Sequence, residues 1–248
     1  MLARISFVLV EPQQPGNIGS CARALANMGL ARLVLVSPPD HLGGDARRMA
    51  MGGSAVLEQA RVALSLPQAL ADAGLVIGTT RRSGKNRGPL IGIEAAAARA
   101  IDAARAGNEV AMVFGREDSG LTTEELDACG LLATISADAS YPSLNLAQAV
   151  LIAAYELRRA AAGQPGPEPR TLAPSSEVEA FFGQLAETLD EVGFLNPQNP
   201  EEVMHALRRL FGRAALEPRE VRILRGILSQ TRWAVGRRAS ERDPAGGG

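Results

Sequence analysis

The sequence predicts an α/β fold in which helices cover both faces of a mostly parallel β-sheet. Short apolar runs rich in β-branched residues alternate with longer segments of helical periodicity, as in β-α-β units. Aromatic residues make up only 4% of the chain, so the core must consist mainly of Ala, Val, Leu and Ile. Such a core suits helices packed on a parallel sheet better than an aromatic-rich β-sandwich.

Five segments are predicted to be strands, because each is a short apolar run flanked by Gly, Pro or polar residues. They are residues 5–10, 33–36, 75–77, 110–114 and 131–135. Helices are predicted over residues 18–28, 91–106, 122–129 and 146–162. Gly29 and Gly107 follow two of these helices, at the position where glycine commonly ends a helix.

The composition changes abruptly after residue 162, where glycines and prolines accumulate. Because these residues interrupt regular structure, residues 163–175 are predicted to link two domains, 1–162 and 176–235. The second domain is predicted to be all helical, with helices over residues 176–192, 200–211 and 218–233. Residues 236–248 are polar, end in three glycines and are predicted to be a disordered tail.

Charge and cysteine content argue against several classes of protein. The formal net charge is −1, so any binding of nucleic acid needs local basic patches rather than bulk charge. Cys21 and Cys129 lie far apart without CxxC spacing, which argues against a disulfide framework or a thiolate metal site. The sequence shows neither a signal-peptide pattern nor an apolar stretch of membrane-spanning length, so we expect a soluble, cytoplasmic protein without membrane contact.

Polar, glycine-rich segments follow the predicted strands, at the carboxyl edge where parallel sheets bind ligands. We name residues 11–19 loop 1, residues 115–120 loop 2 and residues 136–145 loop 3; residues 37–40 and 78–88 complete the set.

The content of these loops limits the chemistry. Loop 1 lacks the G-x-G-x-x-G pattern of dinucleotide-binding folds, and the chain has no Walker A sequence. The two histidines, His41 and His205, lie in separate predicted regions, which argues against a Ser-His-Asp triad or a histidine metal site. Methyl transfer from a sulfonium donor needs neither and fits these exclusions.

Three short motifs occur in order along the chain. Asn17, Gly19 and Arg23 form an N-x-G-x-x-x-R pattern, residues 114–121 read FGREDSGL, and residues 143–146 read SLNL at the start of a predicted helix. Together they resemble the motifs of the SPOUT methyltransferases of the TrmH type. Beyond the linker, residues 181–182, 193–194, 208–211 and 223–228 resemble the C-terminal extension of the TrmJ branch of that family.

The resemblance implies a fold and an activity. Residues 1–162 would form a SPOUT catalytic domain with a C-terminal deep trefoil knot, and residues 176–235 a small all-helical domain. The protein would be a homodimer with active sites at its interface. It would transfer a methyl group from S-adenosyl-L-methionine, without a metal, to a tRNA ribose 2′-hydroxyl at pyrimidine nucleotide 32 of the anticodon loop.

The resemblance also implies site residues. Arg23, Ser143 and Asn17 would be catalytic. The family role of Arg23 is to help deprotonate the 2′-hydroxyl. Because a guanidinium holds its proton far above neutral pH, binding a phosphate and stabilising developing alkoxide charge is the favoured role, and a role as a base stays open. Glu117 would brace backbone or a partner arginine. The residues implied to bind cofactor are Thr79, Thr80, Arg81, Gly115, Glu117, Ile135, Pro142, Ser143, Leu144 and Asn145.

Contacts to RNA are expected from Arg23, Arg82, Arg87 and Tyr141, with Tyr141 stacking on a nucleoside. Residues 78–84 depart from the G-T-S-x-R-x-R pattern of bacterial members. This departure leaves the base preference open: the enzyme would accept either cytidine alone or both pyrimidines. In the helix predicted from residue 218, an apolar face lies opposite an arginine face, which would contact RNA or solvent. The arginines of that face are Arg219, Arg222, Arg225 and Arg232.

Three other functions stay open from the sequence. A 2′-O-methyltransferase acting on ribosomal RNA would share the three motifs but not the TrmJ-like extension. A noncatalytic, knotted RNA-binding protein would not need Asn17, Arg23 and Ser143, which are intact here. A nucleotide-dependent oxidoreductase would need the glycine fingerprint that loop 1 lacks.

Overall fold

The computed structural model describes residues 1–81, 90–163, 170–195 and 200–242, and its sheet is parallel throughout. The strands pair in the order β3-β2-β1-β6-β4-β7-β5. The prediction of an α/β fold with a parallel sheet is therefore confirmed. The strands are β1 (Ile5–Val10), β2 (Arg32–Val36), β3 (Arg61–Ala63), β4 (Leu75–Thr79), β5 (Leu90–Gly92), β6 (Val110–Phe114) and β7 (Leu131–Thr134).

Every helix predicted from the sequence is present, although several ends differ. The helices are α1 (Pro15–Asn27), α2 (Gly44–Ala50), α3 (Ser54–Glu58), α4 (Leu66–Leu70), α5 (Ile93–Arg105), α6 (Thr123–Asp127), α7 (Leu146–Ala162), α8 (Ser175–Glu191), α9 (Pro200–Ala214) and α10 (Pro218–Arg242).

The sequence prediction missed the elements β3, β5, α2, α3 and α4, all of which are short. β3 and β5 have only three residues each, too few for an apolar run to stand out, and residues 91–92 of β5 were assigned to the helix predicted over 91–106.

Helices pack on both faces of the sheet, as predicted. Alternate residues of β1 serve the two faces: Phe7 and Leu9 belong to one buried cluster, and Val8 and Val10 to the other. The first cluster contains the buried faces of α1, α5 and α7, and the second those of α4 and α6. Both faces of β1, an interior strand of the sheet, are therefore removed from water, and burial of apolar surface is the largest favourable contribution to folding.

The C-terminal helices have a hydrophobic core of their own. Phe181 and Phe182 of α8 pack with Phe211 of α9, and the ring centroids of Phe181 and Phe211 lie 5.0 Å apart in an edge-to-face arrangement. Val221 and Leu228 of α10 complete the buried cluster.

The segment that leads into the helical unit is held against the α/β unit by the Asn108 side chain and by one backbone hydrogen bond. Buried Asn108 donates to Arg170 O at 2.5 Å and accepts from Leu172 N at 2.6 Å, and Ser175 N donates to Ala73 O at 2.9 Å. Residues 170–174, expected to be part of a linker, therefore lie against the sheet domain.

A second contact joins α6 to the helical unit. His205 Nδ1 of α9 contacts Asp127 Oδ2 of α6. Nearby, a Cβ on Gly212 would lie 3.0 Å from Gly130 Cα, so the two backbones approach closely there. Burial raises the pKa of the Asp127 carboxyl, and the nearby positive charges of α9 oppose that shift.

The last helix is longer than the sequence indicated. α10 runs to Arg242, past the expected domain boundary at residue 235, so part of the expected disordered tail is helical. Residues 243–248 and 164–169, which hold the rest of the tail and the centre of the expected linker, lie outside the described residues. Among the helices of the described ranges, none is both long and apolar enough to cross a bilayer.

Candidate functional site

A pocket opens at the carboxyl ends of β4, β6 and β7. It encloses about 900 Å³ when the solvent space at its open mouth is included. Its wall combines hydroxyl groups and backbone with apolar side chains. The lining residues are Thr79, Thr80, Arg81, Phe114, Gly115, Arg116, Glu117, Asp118, Ser119, Gly120, Leu121, Ala133, Ile135, Pro142, Ser143, Leu144, Leu146 and Ala149.

The structure brings nine of the ten residues implied to bind cofactor into this one wall, which are all of that set except Asn145. They come from three segments that lie far apart in sequence, after β4, β6 and β7. Asn145 lies beside the pocket instead, where it caps α7 by accepting a hydrogen bond from Ala147 N at 2.9 Å.

Loop 2 is a tight turn that only glycine permits at its ends. Arg116 N donates to Gly120 O at 3.2 Å, and Gly120 N donates to Arg116 O at 3.0 Å. A Cβ on Gly115 would lie 2.1 Å from Gly120 C, and Gly120 has φ +74°. Glycine at these two positions therefore lets the turn close on itself, and the closed turn lines the pocket.

Glu117 of loop 2 holds loop 1 in place. Its carboxylate accepts hydrogen bonds from Gln13 N at 2.8 Å, Gln14 N at 3.2 Å and Asn17 Nδ2 at 2.9 Å. Beside it, Gln13 Nε2 donates to Asp118 Oδ2 at 2.9 Å, and hydrogen bonds from Gln13 and Ser119 lower the pKa of Asp118. Glu117 thus braces backbone, as the sequence indicated.

Asn17 joins all three loops. α1 begins at Pro15, so Asn17 lies inside the first turn and does not cap the helix. Its Nδ2 donates to Glu117 of loop 2, and its Oδ1 accepts from Asn145 Nδ2 of loop 3 at 3.0 Å. It does not line the pocket, and these contacts give it a place between the loops; its expected catalytic role stays a prediction.

Two expected substrate residues lie outside the pocket of their own chain. Arg23 is six residues beyond Asn17 on α1, about 9 Å farther along the helix axis. It is exposed, and its Nη1 donates to Met51 Sδ at 3.1 Å. Tyr141 is 79% exposed and does not line the pocket. Arg82 and Arg87 lie outside the described residues.

Sequence reasoning missed Arg116, which lines the pocket and whose guanidinium bonds to both Glu11 and Glu125. The signal was its place between Gly115 and Glu117 in the second motif. Its side chain is only 16% exposed, and the hydrogen bond with Glu125 is the main cause that raises its pKa.

Other reactive groups lie away from the pocket wall. Burial raises the pKa of both thiols, Cys21 and Cys129, which keeps them protonated and unreactive. In the part of the chain that the structure describes, no three His, Cys, Asp or Glu side chains are grouped to hold a metal ion.

The two faces expected on α10 are arranged differently in the structure. Arg225 donates to Gln184 Oε1 at 3.0 Å, and Arg232 pairs with Glu187 and Glu191, so both bind α8. Ile223 and Ile227, expected on a packed face, are 52% and 56% exposed. Val221 and Leu228 are the residues of α10 that are buried in the helical core, and of the expected basic face Arg219, Arg222 and Arg225 are exposed.

Comparison with known proteins agrees with this geometry. Residues 4–155 match the SpoU rRNA Methylase family, and residues 176–244 match the C-terminal domain of the tRNA methyltransferase TrmJ. The chain is 42% identical, over 93% of its length and 95% of the relative, to the tRNA (cytidine/uridine/adenosine-2′-O-)-methyltransferase TrmJ of Pseudomonas aeruginosa. It is 43% identical, over 92% and 97%, to the tRNA (cytidine/uridine-2′-O-)-methyltransferase TrmJ of Pectobacterium atrosepticum.

Solved structures give the same result. The crystal structure of TrmJ from Z. mobilis superposes with a TM-score of 0.78 and 34% identity, over 91% of this chain and 97% of the other. An AdoMet-bound rRNA methyltransferase from Sinorhizobium meliloti superposes with a TM-score of 0.50 and 25% identity, over 62% and 56%. This chain therefore belongs to the SpoU methylase family and, within it, to the TrmJ methyltransferases.

Proposed function

We propose that this protein is an S-adenosyl-L-methionine-dependent tRNA 2′-O-methyltransferase that acts on pyrimidine nucleotide 32 of the anticodon loop. The observation that carries the proposal is the single pocket wall built by the second and third motifs, with the first motif hydrogen-bonded to both through Asn17. The relatives whose names specify 2′-O-methylation of tRNA span nearly the whole chain, including the helical unit.

The pocket residues fit the proposed cofactor. The turn between Gly115 and Gly120 lines the pocket, and Ile135 and Leu144 offer apolar contact to a flat base. Thr79 is held by its hydroxyl, which donates to Val113 O at 2.9 Å, so its backbone edge is fixed at the pocket. When bound, the cofactor would supply an activated methyl group on a sulfonium. The deep trefoil knot of residues 1–162 is part of this proposal and is supported by family membership.

The proposed catalytic arrangement needs two copies of the chain. Arg23 does not line the pocket of its own chain, so we propose that Arg23 of a second copy completes the site in a homodimer. Apolar side chains exposed near Arg23 on α2, the turn after it and α7 support a dimer face there. They are Met49, Met51, Leu151 and Tyr155, which are 39% to 62% exposed.

Arg23 would orient the ribose by binding an adjacent phosphate and would stabilise the negative charge that develops on the 2′-oxygen. Because a guanidinium holds its own proton far above neutral pH, the hydroxyl proton would pass to solvent water as the oxygen–methyl bond forms and the sulfur–methyl bond breaks. Ser143 lies in the pocket wall and would hydrogen-bond the ribose. Asn17 and Glu117 would keep the three loops at the spacing that a bent cofactor needs.

The helical unit would bind tRNA outside the pocket, through the exposed Arg219 and Arg222. Both cytidine and uridine would be accepted. The relatives named for cytidine and uridine, or for adenosine as well, support a site that reads the ribose and backbone more than the base edge.

The decisive experiment is mass-spectrometric mapping of ribose methylation after incubation of unmodified tRNA with the protein and the methyl donor. We expect one methylated ribose, at pyrimidine 32, and none with Arg23→Ala. The same assay on ribosomal RNA tests the alternative that the name of the SpoU family raises. Methylation of ribosomal RNA alone, or of no RNA, would refute the proposal.

A further inference from the structure

We infer that Arg116 is a positioning residue that sets the affinity of the pocket for the methyl donor by fixing loop 2 against loop 1 and α6. The inference rests on the proposed function, because it takes the pocket as the donor site. Arg116 combines three connections that its neighbours do not share, to Glu11 just after β1, to α6 and to its own turn.

The contact with α6 is bidentate. Arg116 Nη1 and Nη2 donate to the two carboxylate oxygens of Glu125, each at 3.0 Å. Both side chains are about 15% exposed, so water competes little with this pair. Glu125 is itself fixed, because it forms the capping box of α6 with Thr122, whose N–H donates to Glu125 Oε2 at 2.8 Å. Loop 2 is thus anchored to a capped helix packed on the sheet.

The contact with loop 1 reaches the residue where the chain leaves β1. Arg116 Nε donates to Glu11 Oε2 at 2.9 Å. Glu11 has φ +44°, a left-handed conformation unfavourable for a side-chain-bearing residue, and its N–H donates to Val36 O at 2.9 Å. The ion pair therefore holds loop 1 at a strained position, just before the segment that Glu117 binds.

The hydrogen bonds that the structure shows from the Arg116 guanidinium all go to protein oxygen atoms. Its Nη1 also donates to Gly120 O at 3.3 Å, and its backbone closes the turn of loop 2. Its single positive charge faces two carboxylates, which leaves no net positive charge to attract an RNA phosphate. Arg116 therefore differs from Arg23, which is exposed. Arg116 therefore holds three parts of the structure together, and only a flat, forked guanidinium can make these bonds at the same time.

The test substitution replaces the forked guanidinium of Arg116 but keeps its positive charge. In Arg116→Lys, one ammonium cannot reproduce the two parallel bonds to Glu125 and the bond to Glu11. Loss of one to two charge-assisted hydrogen bonds predicts an increase of about tenfold or more in the dissociation constant of S-adenosyl-L-methionine. Calorimetric titration without RNA measures it. At saturating donor, kcat and the tRNA affinity should stay within about threefold of wild type.

Arg232→Lys is the matched control. Arg232 also forks between two glutamates, Glu187 and Glu191, but in the helical unit away from the pocket. It should lose stability without a change in donor affinity.

Glu125→Gln offers a second variant, because the amide keeps an acceptor for Arg116 and for the cap while the charge is removed. It should weaken donor binding in the same direction.

A readout that needs no donor completes the test. Amide hydrogen exchange over residues 115–121 should accelerate in Arg116→Lys and not in Arg232→Lys. Unchanged donor affinity and unchanged exchange in Arg116→Lys would overturn the inference, as would a loss of kcat with donor affinity intact. If wild type binds the donor but methylates no tRNA, the proposed function fails while the role of Arg116 in donor binding still stands.

Discussion

Asn145 Nδ2 donates a hydrogen bond of 3.0 Å to Asn17 Oδ1, joining two residues 128 positions apart in the chain. At the same time, Asn145 Oδ1 accepts from Ala147 N and caps α7. One side chain therefore starts a helix of the pocket and fixes the position of the first motif. The amide is the side chain that can do both, since it carries a donor and an acceptor.

Asn145→Asp separates these two tasks. The aspartate keeps the cap but places a second acceptor against Asn17 Oδ1, where a donor is needed. We expect kcat/KM to fall about tenfold, while the melting temperature stays within about 2 °C of wild type. As a control, Ser65→Ala removes the cap of α4, away from the pocket, and should lower stability without affecting kcat/KM. Full activity of Asn145→Asp would show that the contact with Asn17 is dispensable.

Arg23→Ala tests the electrostatic role proposed for this side chain. Removing one preorganised charge at a developing oxyanion typically costs a factor of about 100 to 1,000 in kcat, so methyl transfer should fall by at least about 100-fold. Donor affinity, measured by calorimetry, should stay unchanged because Arg23 does not line the pocket. Arg99→Ala, at an exposed position on α5, is the control and should retain activity. Equal activity in Arg23→Ala would refute the role.

Gly115→Ala should abolish donor binding. Its Cβ would lie 2.1 Å from Gly120 C, which belongs to backbone and cannot rotate away, so the turn of loop 2 must open. Gly183→Ala is the matched control, because nothing lies within 4 Å of its Cβ position in α8. That variant should gain about 0.5 to 1 kcal/mol in the free energy of unfolding, the usual advantage of Ala over Gly inside a helix. Thermal unfolding and calorimetric titration check both variants, and a donor affinity equal to wild type in Gly115→Ala would contradict the pocket assignment.

The double variant Arg219→Ala/Arg222→Ala tests the tRNA surface of α10. Each arginine that neutralises a phosphate contributes about 0.9 to the slope of log affinity against log salt concentration on duplex nucleic acid, and about 0.7 on single strands. We expect tRNA binding to weaken and that slope to fall by about 1.5, with donor binding unchanged. Arg47→Ala/Arg48→Ala removes two exposed arginines of α2 as a control for net charge. A salt slope that stays the same would exclude α10 from the interface.

The sequence predicted the long elements well, because their buried residues are apolar and recur at regular spacing along the chain. The six residues of β1 and the seventeen of α7 have the bounds expected from their apolar spacing. It missed β3 and β5, whose three residues each carry too few buried side chains to form a pattern. The extension of α10 was also missed, since its last two turns are polar and show no apolar face.

Site residues that belong to local sequence motifs could be predicted from the sequence. Contacts between residues far apart in the chain could not. Gly115, Pro142 and Leu144 lie in motif loops at strand ends, and they reach the pocket because parallel strands end at one edge. The pairing of Arg116 with Glu11 spans 105 positions and follows from the strand order, which local patterns do not encode. The contact between Asn17 and Asn145, which spans 128 positions, depends on the tertiary fold in the same way. The knot, the homodimer, the cytoplasmic location and the roles of the site residues stay predictions.

The strand order has a consequence for how the chain matures during synthesis. β1 pairs with β2 on one side, but its other neighbour, β6, is encoded about a hundred residues later. At about 5 to 20 residues per second, a ribosome needs roughly 5 to 20 s to deliver that neighbour. Until then, one edge of the strand carrying the first motif has no partner and is open to non-native association. Translation speed or a chaperone at this stage would therefore govern the yield of soluble enzyme.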